Sequence, residues 1–286
     1  MSLTIERSDD MDVAFAIEQS GGGRRGRTEI ARRYAVSEGY KARVDGREIG
    51  VATLTTYRAD GDDAPPALAW IGGMIVHPAA RRQGAARGML RSMMARSREL
   101  GVRVVGLDAS ENGRPLYEDE GFRVLGRTSR WARAGSRGEA VVSARHSVHP
   151  ISISEAMEIA AFDQPRFGAR RMPFLMSLLH EFPWRSFMSR DRGSGEVTGF
   201  VFANERAMGP LVADDEDAAS ALLSACESSG APPKLIIMDD HIGASRVLAA
   251  AGYTPDGVWC TRMSLGSTPL PGRRESVYGA ATWALG

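Results

Sequence analysis

The first third of the chain alternates apolar and polar residues as β-strands do, and two helical stretches interrupt it. Residues 40–58 are rich in strand-forming residues on both sides of Asp45-Gly46, which predicts a hairpin with a tight turn. Residues 67–76 predict a further strand, in which Gly72-Gly73 indicates a bulge or a close approach to the backbone. Pro78 stops this strand. Helices are predicted near residues 10–19 and 29–37.

Residues 85–100 show the clearest helical period. Their apolar side chains fall mostly on one face and their arginines on another, and Gly101 ends the pattern. A buried strand is predicted at 102–107, followed by a loop and a short helix that reach Gly121. Alternation of strand and helix is typical of an α/β fold.

Two segments of the chain repeat one pattern without a gap. The segments are "DASENGRPLYEDEGF" (residues 108–122) and "DDHIGASRVLAAAGY" (residues 239–253). Gly121 follows Asp108 by thirteen positions, and Gly252 follows Asp239 by the same number. Between them, from about residue 134 to 150, the chain becomes rich in Gly, Ser and Arg and loses its periodicity. We therefore predict two domains in tandem. They comprise residues 1–135 and 151–286, the second with a C-terminal tail, and residues 136–150 are a linker.

Composition narrows the class of protein. The chain has 36 basic and 35 acidic residues, which gives no general attraction to nucleic acid. It shows neither a signal-peptide pattern nor an apolar run long enough to cross a bilayer. Its two cysteines, Cys226 and Cys260, are too few for a disulfide framework or a four-ligand zinc site. We expect a cytoplasmic monomer or homodimer without a metal and with no nucleic-acid or membrane partner.

One junction departs from this charge balance. Residues 76–107 hold seven arginines and a single acid, Glu99. In "VHPAARRQGAARGML", Arg81 and Arg82 lie between the end of a strand and the start of a helix, which Gly84 opens. The free N–H groups and dipole of such a helix start stabilise an anion by roughly 0.3–1 kcal/mol per charge. The junction predicts a phosphate site, but it lacks both the GxxxxGKS/T motif of nucleotide triphosphatases and the GxGxxG motif of dinucleotide-binding folds. The alternative interpretation is a basic surface helix that binds no ligand.

This junction resembles the cofactor loop of the GNAT superfamily of N-acetyltransferases, which reads R/Q-x-x-G-x-G/A after V-x-P. Val76-His77-Pro78 and Arg81 to Ala86 match that motif. Downstream, "GRPLYEDEGF" resembles the family segment A-x-x-L-Y-x-x-x-G-F, and the resemblance spans about residues 1–133. It implies two GNAT-like domains, each a mixed, mostly antiparallel sheet flanked by helices, with acetyl-CoA as cosubstrate.

The resemblance also implies roles for residues at matching positions. The backbone of Met74, Ile75 and Val76 is expected to hold the pantetheine arm and thioester carbonyl. Tyr117 takes the place of the general acid that protonates the departing thiolate. The pyrophosphate is expected to lie against the loop and first helical turn, which consist of Arg81, Arg82, Gln83, Gly84, Ala85, Ala86 and Arg87.

The general base is the open part of this mechanism. Many relatives carry a carboxylate on the strand before V-x-P, where this chain has Gly72 and Gly73. We expect proton removal through water, with Glu29 or Asp108 assisting. His77, beside Pro78, is interpreted as structural despite its favourable pKa.

The second half lacks both features of the first. At the equivalent junction, "VADDEDAASALL" places four acids at residues 214–217, which repel a pyrophosphate. Leu248 stands where the first repeat has Tyr117. We predict a degenerate GNAT-like domain, in which Asp163 and Arg170 lie near the cleft between the halves and help bind substrate. Both cysteines fall in this half, which argues against an acetyl-cysteine intermediate.

Together these features predict an acyltransferase of the GNAT type. It moves an acetyl group from acetyl-CoA to a primary amine of a small molecule or peptide, by direct attack in a ternary complex. The alternative is a non-catalytic acyl-CoA-binding or sensor protein. The acceptor stays open, because acceptor sites are built from variable loops.

Overall fold

The computed structural model of the chain describes residues 2–22, 25–59, 64–135, 141–266 and 269–286. The first half consists of β1 (Leu3–Arg7), α1 (Met11–Ser20), α2 (Arg27–Tyr34), β2 (Glu38–Val44), β3 (Arg47–Arg58), β4 (Pro66–Val76), α3 (Ala85–Glu99), β5 (Val104–Ala109), α4 (Arg114–Asp119) and β6 (Arg123–Ala132). The second half consists of β7 (His146–Pro150), α5 (Ala156–Phe167), α6 (Met172–Glu181), β8 (Phe187–Asp191), β9 (Val197–Ala203), β10 (Met208–Ala213), α7 (Glu216–Ser228), β11 (Lys234–Met238), α8 (Ile242–Ala250), β12 (Thr254–Gly266) and β13 (Val277–Gly279).

Most elements predicted from periodicity are present. The three predicted helices of the first half are α1, α2 and α3, displaced by at most three residues. The β2–β3 hairpin turns at Asp45-Gly46, which both adopt the left-handed backbone that this tight turn requires. The predicted linker is wrong in its last part, because His146–Pro150 forms β7 and pairs with β8. Residues 136–140 of that linker lie outside the described ranges.

The amphipathic helix α3 anchors the core of the first half. Its side chains Met89, Leu90 and Met93 are fully buried and belong to one cluster with Leu54 of β3 and Leu107 of β5. Full burial of a side chain of this size contributes about 1.5–3 kcal/mol. The helix is thereby fixed over the centre of the sheet, which also fixes where its N-terminus points.

Strand β4 opens away from β5 half-way along its length. The two strands pair in parallel over Leu68–Ile71 and Val104–Leu107, and the paired register stops there. Beyond it, the register of β3 against β4 shifts between Thr53↔Gly72 and Val51↔Ile75, which is the bulge expected at Gly72-Gly73. The last five residues of β4 thus border an opening, which we term the β4–β5 gap.

The two halves exchange their last strands. The eight-stranded sheet has the order β1-β2-β3-β4-β5-β12-β6-β11, so β12 of the second half lies between β5 and β6 of the first. In return, β6 pairs with β11 of the second half. The sequence repeat appears as β5–α4 and β11–α8, which confirms the tandem organisation. The exchange itself was not expected, and it makes the halves one interleaved body.

In the second half the corresponding opening is filled. Its sheet has the order β13-β10-β9-β8-β7, and Ala280, directly after β13, bridges to Ile236 of β11. The C-terminal strand therefore lies between β10 and β11, the counterparts of β4 and β5. The tail then crosses to the first half, where the carbonyl of Trp283 accepts a hydrogen bond from Trp70 Nε1 (3.0 Å). The C-terminal tail is thus docked on the first half.

Candidate active site

Tyr117 lies at the open end of the β4–β5 gap. The short helix α4 buries its ring, which packs edge-on against Phe122 with the ring centroids 5.9 Å apart. Its hydroxyl donates to Sδ of Met74 across the gap at 3.6 Å. The side chain predicted as the acid thus faces the strand predicted to hold the thioester.

Burial keeps the Tyr117 hydroxyl protonated. Loss of solvent raises the pKa of Tyr117 to about 12, and the nearby Cys260 adds to the rise. A phenol with such a pKa is almost wholly neutral at pH 7. It can therefore donate a proton to a departing group, and it cannot serve as a base at that pH.

The loop from β4 to α3 is shaped by two residues in the left-handed region. Arg82 has φ 67° and Gly84 has φ 83°, and α3 begins directly after them. No side chain caps the start of α3, and its first turn carries no acid. Its N–H groups are thus left to an external acceptor. His77 has the structural role expected, since its Nδ1 accepts the N–H of Ala79 at 3.3 Å.

The predicted cofactor residues of this loop differ in their availability. Arg81 and Arg82 are exposed, and Gln83 is half-buried. Arg87 is already paired with two acids at the C-terminal end of α4. It donates to Asp119 at 2.9 Å and to Glu120 at 2.6 Å. Arg87 therefore joins α3 to the helix that carries Tyr117. Arg81 donates from Nε to the carbonyl of Val76 at 3.5 Å, and Arg81 and Arg82 both present exposed side chains to the solvent.

The structure explains why β4 carries no carboxylate beside the gap. A Cβ on Gly72 would lie 2.2 Å from the carbonyl oxygen of Ala284, and a Cβ on Gly73 would lie 2.6 Å from Cζ of Arg33. The C-terminal tail and helix α2 occupy the space that side chains would need. The base, if the protein uses one, has to come from another element.

Acidic groups next to Gly73 come from α1 and α2 instead. Glu18 is fully buried and pairs with Arg33 and, at 3.3 Å, with Arg25. Arg25 also donates to Glu29 at 3.1 Å, and burial raises the pKa of Glu29. We term Glu18, Arg25, Glu29 and Arg33 the α1–α2 charge cluster. Within it, Glu29 is the carboxylate whose proton affinity is increased.

The remaining predicted substrate residues lie between the halves, and their carboxylates already have partners. Asp108 forms a bidentate ion pair with Arg262 of β12, at 3.0 and 2.7 Å. Asp163 does the same with Arg171, at 2.8 Å for both bonds. The backbone N–H of Arg170 donates to the carbonyl of Arg58 at 2.8 Å. The Asp108–Arg262 pair and the Arg170–Arg58 hydrogen bond join the two halves, whereas the Asp163–Arg171 pair lies within the second half. The role of these residues toward a substrate stays a prediction.

Cys260 corrects the expectation that both cysteines lie far from the chemistry. The strand exchange places it on β12 opposite Thr128, near enough to Tyr117 to influence the pKa of that residue. Burial and the neighbouring Asp108 raise the pKa of the Cys260 thiol to about 12. A thiol in this state is a poor nucleophile, so direct transfer is still favoured, for a different reason. Sequence reasoning missed Cys260 because no local pattern reveals the exchange.

Comparison with known families agrees with this geometry. Two family profiles, both described as an acetyltransferase (GNAT) domain, match residues 35–124 and 159–279, and together they span more than half of the chain. The chain belongs to the GNAT acetyltransferase family. The first match of this tandem GNAT protein contains the loop from β4 to α3 and Tyr117.

Solved structures share the whole fold of this tandem GNAT protein. A putative acetyltransferase from Pyrococcus horikoshii is similar with a TM-score of 0.81 and 21% identity, over 99% of this chain and 96% of that one. A GCN5-related N-acetyltransferase from Sphaerobacter thermophilus gives 0.66 and 14%, over 94% and 98%. A tandem GNAT protein from the clavulanic acid biosynthesis pathway gives 0.60 and 14%, over 94% and 99%. Curated protein sequences give no match.

The described residues form neither a membrane-spanning helix nor a metal-binding cluster. None of the described helices is both long and apolar enough to cross a membrane. No group of three or more His, Cys, Asp or Glu side chains in those residues is arranged to hold a metal ion.

Proposed function

We propose that this tandem GNAT protein transfers an acetyl group from acetyl-CoA to a primary amine of a small molecule or peptide, at one site per chain in its first half. The observation that carries the proposal is the meeting of three features at the β4–β5 gap. These are the open end of β4, the uncapped start of α3 and the protonated hydroxyl of Tyr117. The equivalent gap of the second half is filled by β13.

The residues around the gap fit acetyl-CoA. The exposed Arg81 and Arg82, with the free N–H groups of α3, suit a pyrophosphate. Residues 74–76 of β4 extend past the stretch paired with β5, which leaves one strand edge for the amides of a pantetheine arm. The cosubstrate supplies an acetyl group activated as a thioester.

Each of the chain's own groups would then have one task. Tyr117 holds a proton at Oη for the departing sulfur. Backbone N–H groups of β4 stabilise the negative charge that develops on the carbonyl oxygen. Glu29, whose raised pKa increases its proton affinity, takes the proton of the acceptor amine through water. The amine would attack directly, because the Cys260 thiol is held protonated.

The cofactor site can be tested by calorimetric titration of acetyl-CoA. Gly84→Glu and Arg82→Glu each add negative charge at the start of α3, so we expect both to weaken binding by at least tenfold. Arg98→Glu is the matched control, because Arg98 is exposed at the far end of the same helix. Undiminished affinity in both variants would show that the pyrophosphate binds elsewhere.

The reaction can be tested by release of the CoA thiol in the presence of acceptor panels. Amino acids, polyamines, aminoglycosides and peptide N-termini cover the main classes of primary amine. We expect turnover with at least one of these classes. Tight acetyl-CoA binding without turnover on any panel would favour the non-catalytic binding protein instead.

A further inference from the structure

One cavity among the described residues is lined by residues of the second half and by Leu125 of β6, and no residue of the loop from β4 to α3 lines it. It has a volume of about 650 Å³ and opens beside the start of α8 and β13. Its walls are largely apolar and include Leu125, Met238, Leu270 and Tyr278. Volumes of this order are typical of sites for small organic ligands.

Arg274 places a buried guanidinium in the wall of this cavity. It lines the wall together with Arg262, and its Nη2 is buried without a hydrogen-bond partner among the described residues. Two other arginines lower the pKa of Arg274, and each is paired with a carboxylate of its own. Arg262 pairs with Asp108, and Arg171 pairs with Asp163. Burial and these two cations lower the pKa of Arg274 to about 9. A bound anion would compensate this cation and supply the missing acceptor.

The other charged groups of the cavity limit the number of negative charges that the anion can carry. Asp240 and Glu275 line it as well, and both are exposed. Their carboxylates disfavour a ligand with several negative charges, such as a nucleotide or coenzyme A. His241 also lines the cavity, and its Nδ1 accepts the N–H of Ala244, so the neutral ring carries its proton on Nε2.

We propose that this cavity binds a small molecule with an apolar body and a single carboxylate, and that Arg274 holds the carboxylate. The apolar walls cover the body of the ligand, and the exposed acids at the rim exclude polyanions. The site is separate from the acetyl-CoA site proposed above and does not depend on it.

The test is calorimetry on the full chain with three probes, octanoate, 4-phenylbutanoate and indole-3-butanoate, each beside its neutral amide. At least one acid is expected to bind ten times more tightly than its amide. Arg274→Met should abolish this preference, while Arg274→Lys should keep part of it. Arg246→Met is the matched control, because Arg246 is an exposed arginine of α8 that pairs with Glu216.

Two further measurements separate the outcomes. Arg274→Met removes a buried, unpaired charge, so its melting temperature should not fall, and its affinity for acetyl-CoA should equal that of the wild type. Equal binding of acids and amides, undiminished acid binding by Arg274→Met, or no binding of any of the three acids at millimolar concentration would overturn the proposal. None of these results would affect the acetyl-CoA site, which is measured by its own titration.

Discussion

The main chain of Ala284 lies directly against Gly72 of β4, so that a Cβ on Gly72 would fall 2.2 Å from the Ala284 carbonyl oxygen. The contact joins the C-terminal tail to the strand that borders the β4–β5 gap. Two hydrogen bonds hold the tail on either side of it, from Trp70 Nε1 to the carbonyl of Trp283 and from Tyr57 Oη to that of Leu285.

Gly72→Ala should therefore loosen the tail. The added methyl group cannot fit without a backbone shift, so we expect a loss of about 1–3 kcal/mol in the free energy of unfolding. Limited proteolysis should also cut the tail sooner. Urea denaturation measures the first effect, with Gly26→Ala as control, because a Cβ on Gly26 meets nothing within 4 Å. Equal losses in both variants would show that the tail contact contributes nothing.

Tyr117→Phe should slow turnover without weakening acetyl-CoA binding. Loss of a general acid typically costs a factor of roughly 10² to 10⁴ in rate, and the ring that packs on Phe122 is kept. Tyr40→Phe serves as control, because Tyr40 belongs to the same core but donates to Glu38. An unchanged kcat for Tyr117→Phe would remove its role as acid.

The pH dependence of turnover should follow the acceptor amine and not Tyr117. Since the pKa of Tyr117 is raised to about 12, its acid form persists at every pH below that value. We expect kcat/KM to rise as the amine loses its proton and to show no fall up to about pH 10. A falling limb between pH 8 and 10 that disappears in Tyr117→Phe would mean that Tyr117 has a much lower pKa.

Acetyl-CoA should bind with a stoichiometry of one per chain. The second half has β13 between β10 and β11, Asp215 caps the start of α7, and Glu216 and Asp217 lie in the first turn of that helix. The strand fills the gap and the acids repel a pyrophosphate. Calorimetry gives the number of sites directly, and a value close to two would contradict this account of the second half.

Cys260→Ala should keep turnover within a few-fold of the wild type. The raised pKa of Cys260 leaves almost no thiolate at neutral pH, so the group is not available for acetyl transfer. Alkylation by iodoacetamide at pH 7.5, followed by mass spectrometry, should be slow at this residue. Loss of activity together with an acetylated Cys260 peptide would instead establish a covalent route.

Local sequence was sufficient for the parts of the site that local structure builds. Gly84 and Tyr117 lie in short motifs, and each motif spans one strand-to-helix junction whose backbone it determines. The bulge at Gly72-Gly73 follows from the same logic, because two glycines inside a strand have few other uses. The local pattern was enough to place Gly84 at a helix start and the bulge in β4, whereas the role expected of Tyr117 came from the resemblance to the GNAT segment.

Non-local pairing could not be predicted in this way. Arg262 reaches Asp108 across 154 residues, and the pairing of β12 with β5 depends on a register that no pattern in either strand specifies. Strand β13 has three residues, too few to show a period. Arg274 and the cavity beside it were missed for this reason, since the tail and the exchanged strand build them together.

The strand exchange also sets the order in which the protein can form during synthesis. The inner edge of β5 stays unpaired until Thr254–Gly266 has left the ribosome, because β12 is the strand that covers it. An unpaired edge is an aggregation hazard, so the nascent first half has to be protected for more than a hundred residues of further translation. The second half is thus indispensable as the last component of its neighbour's sheet.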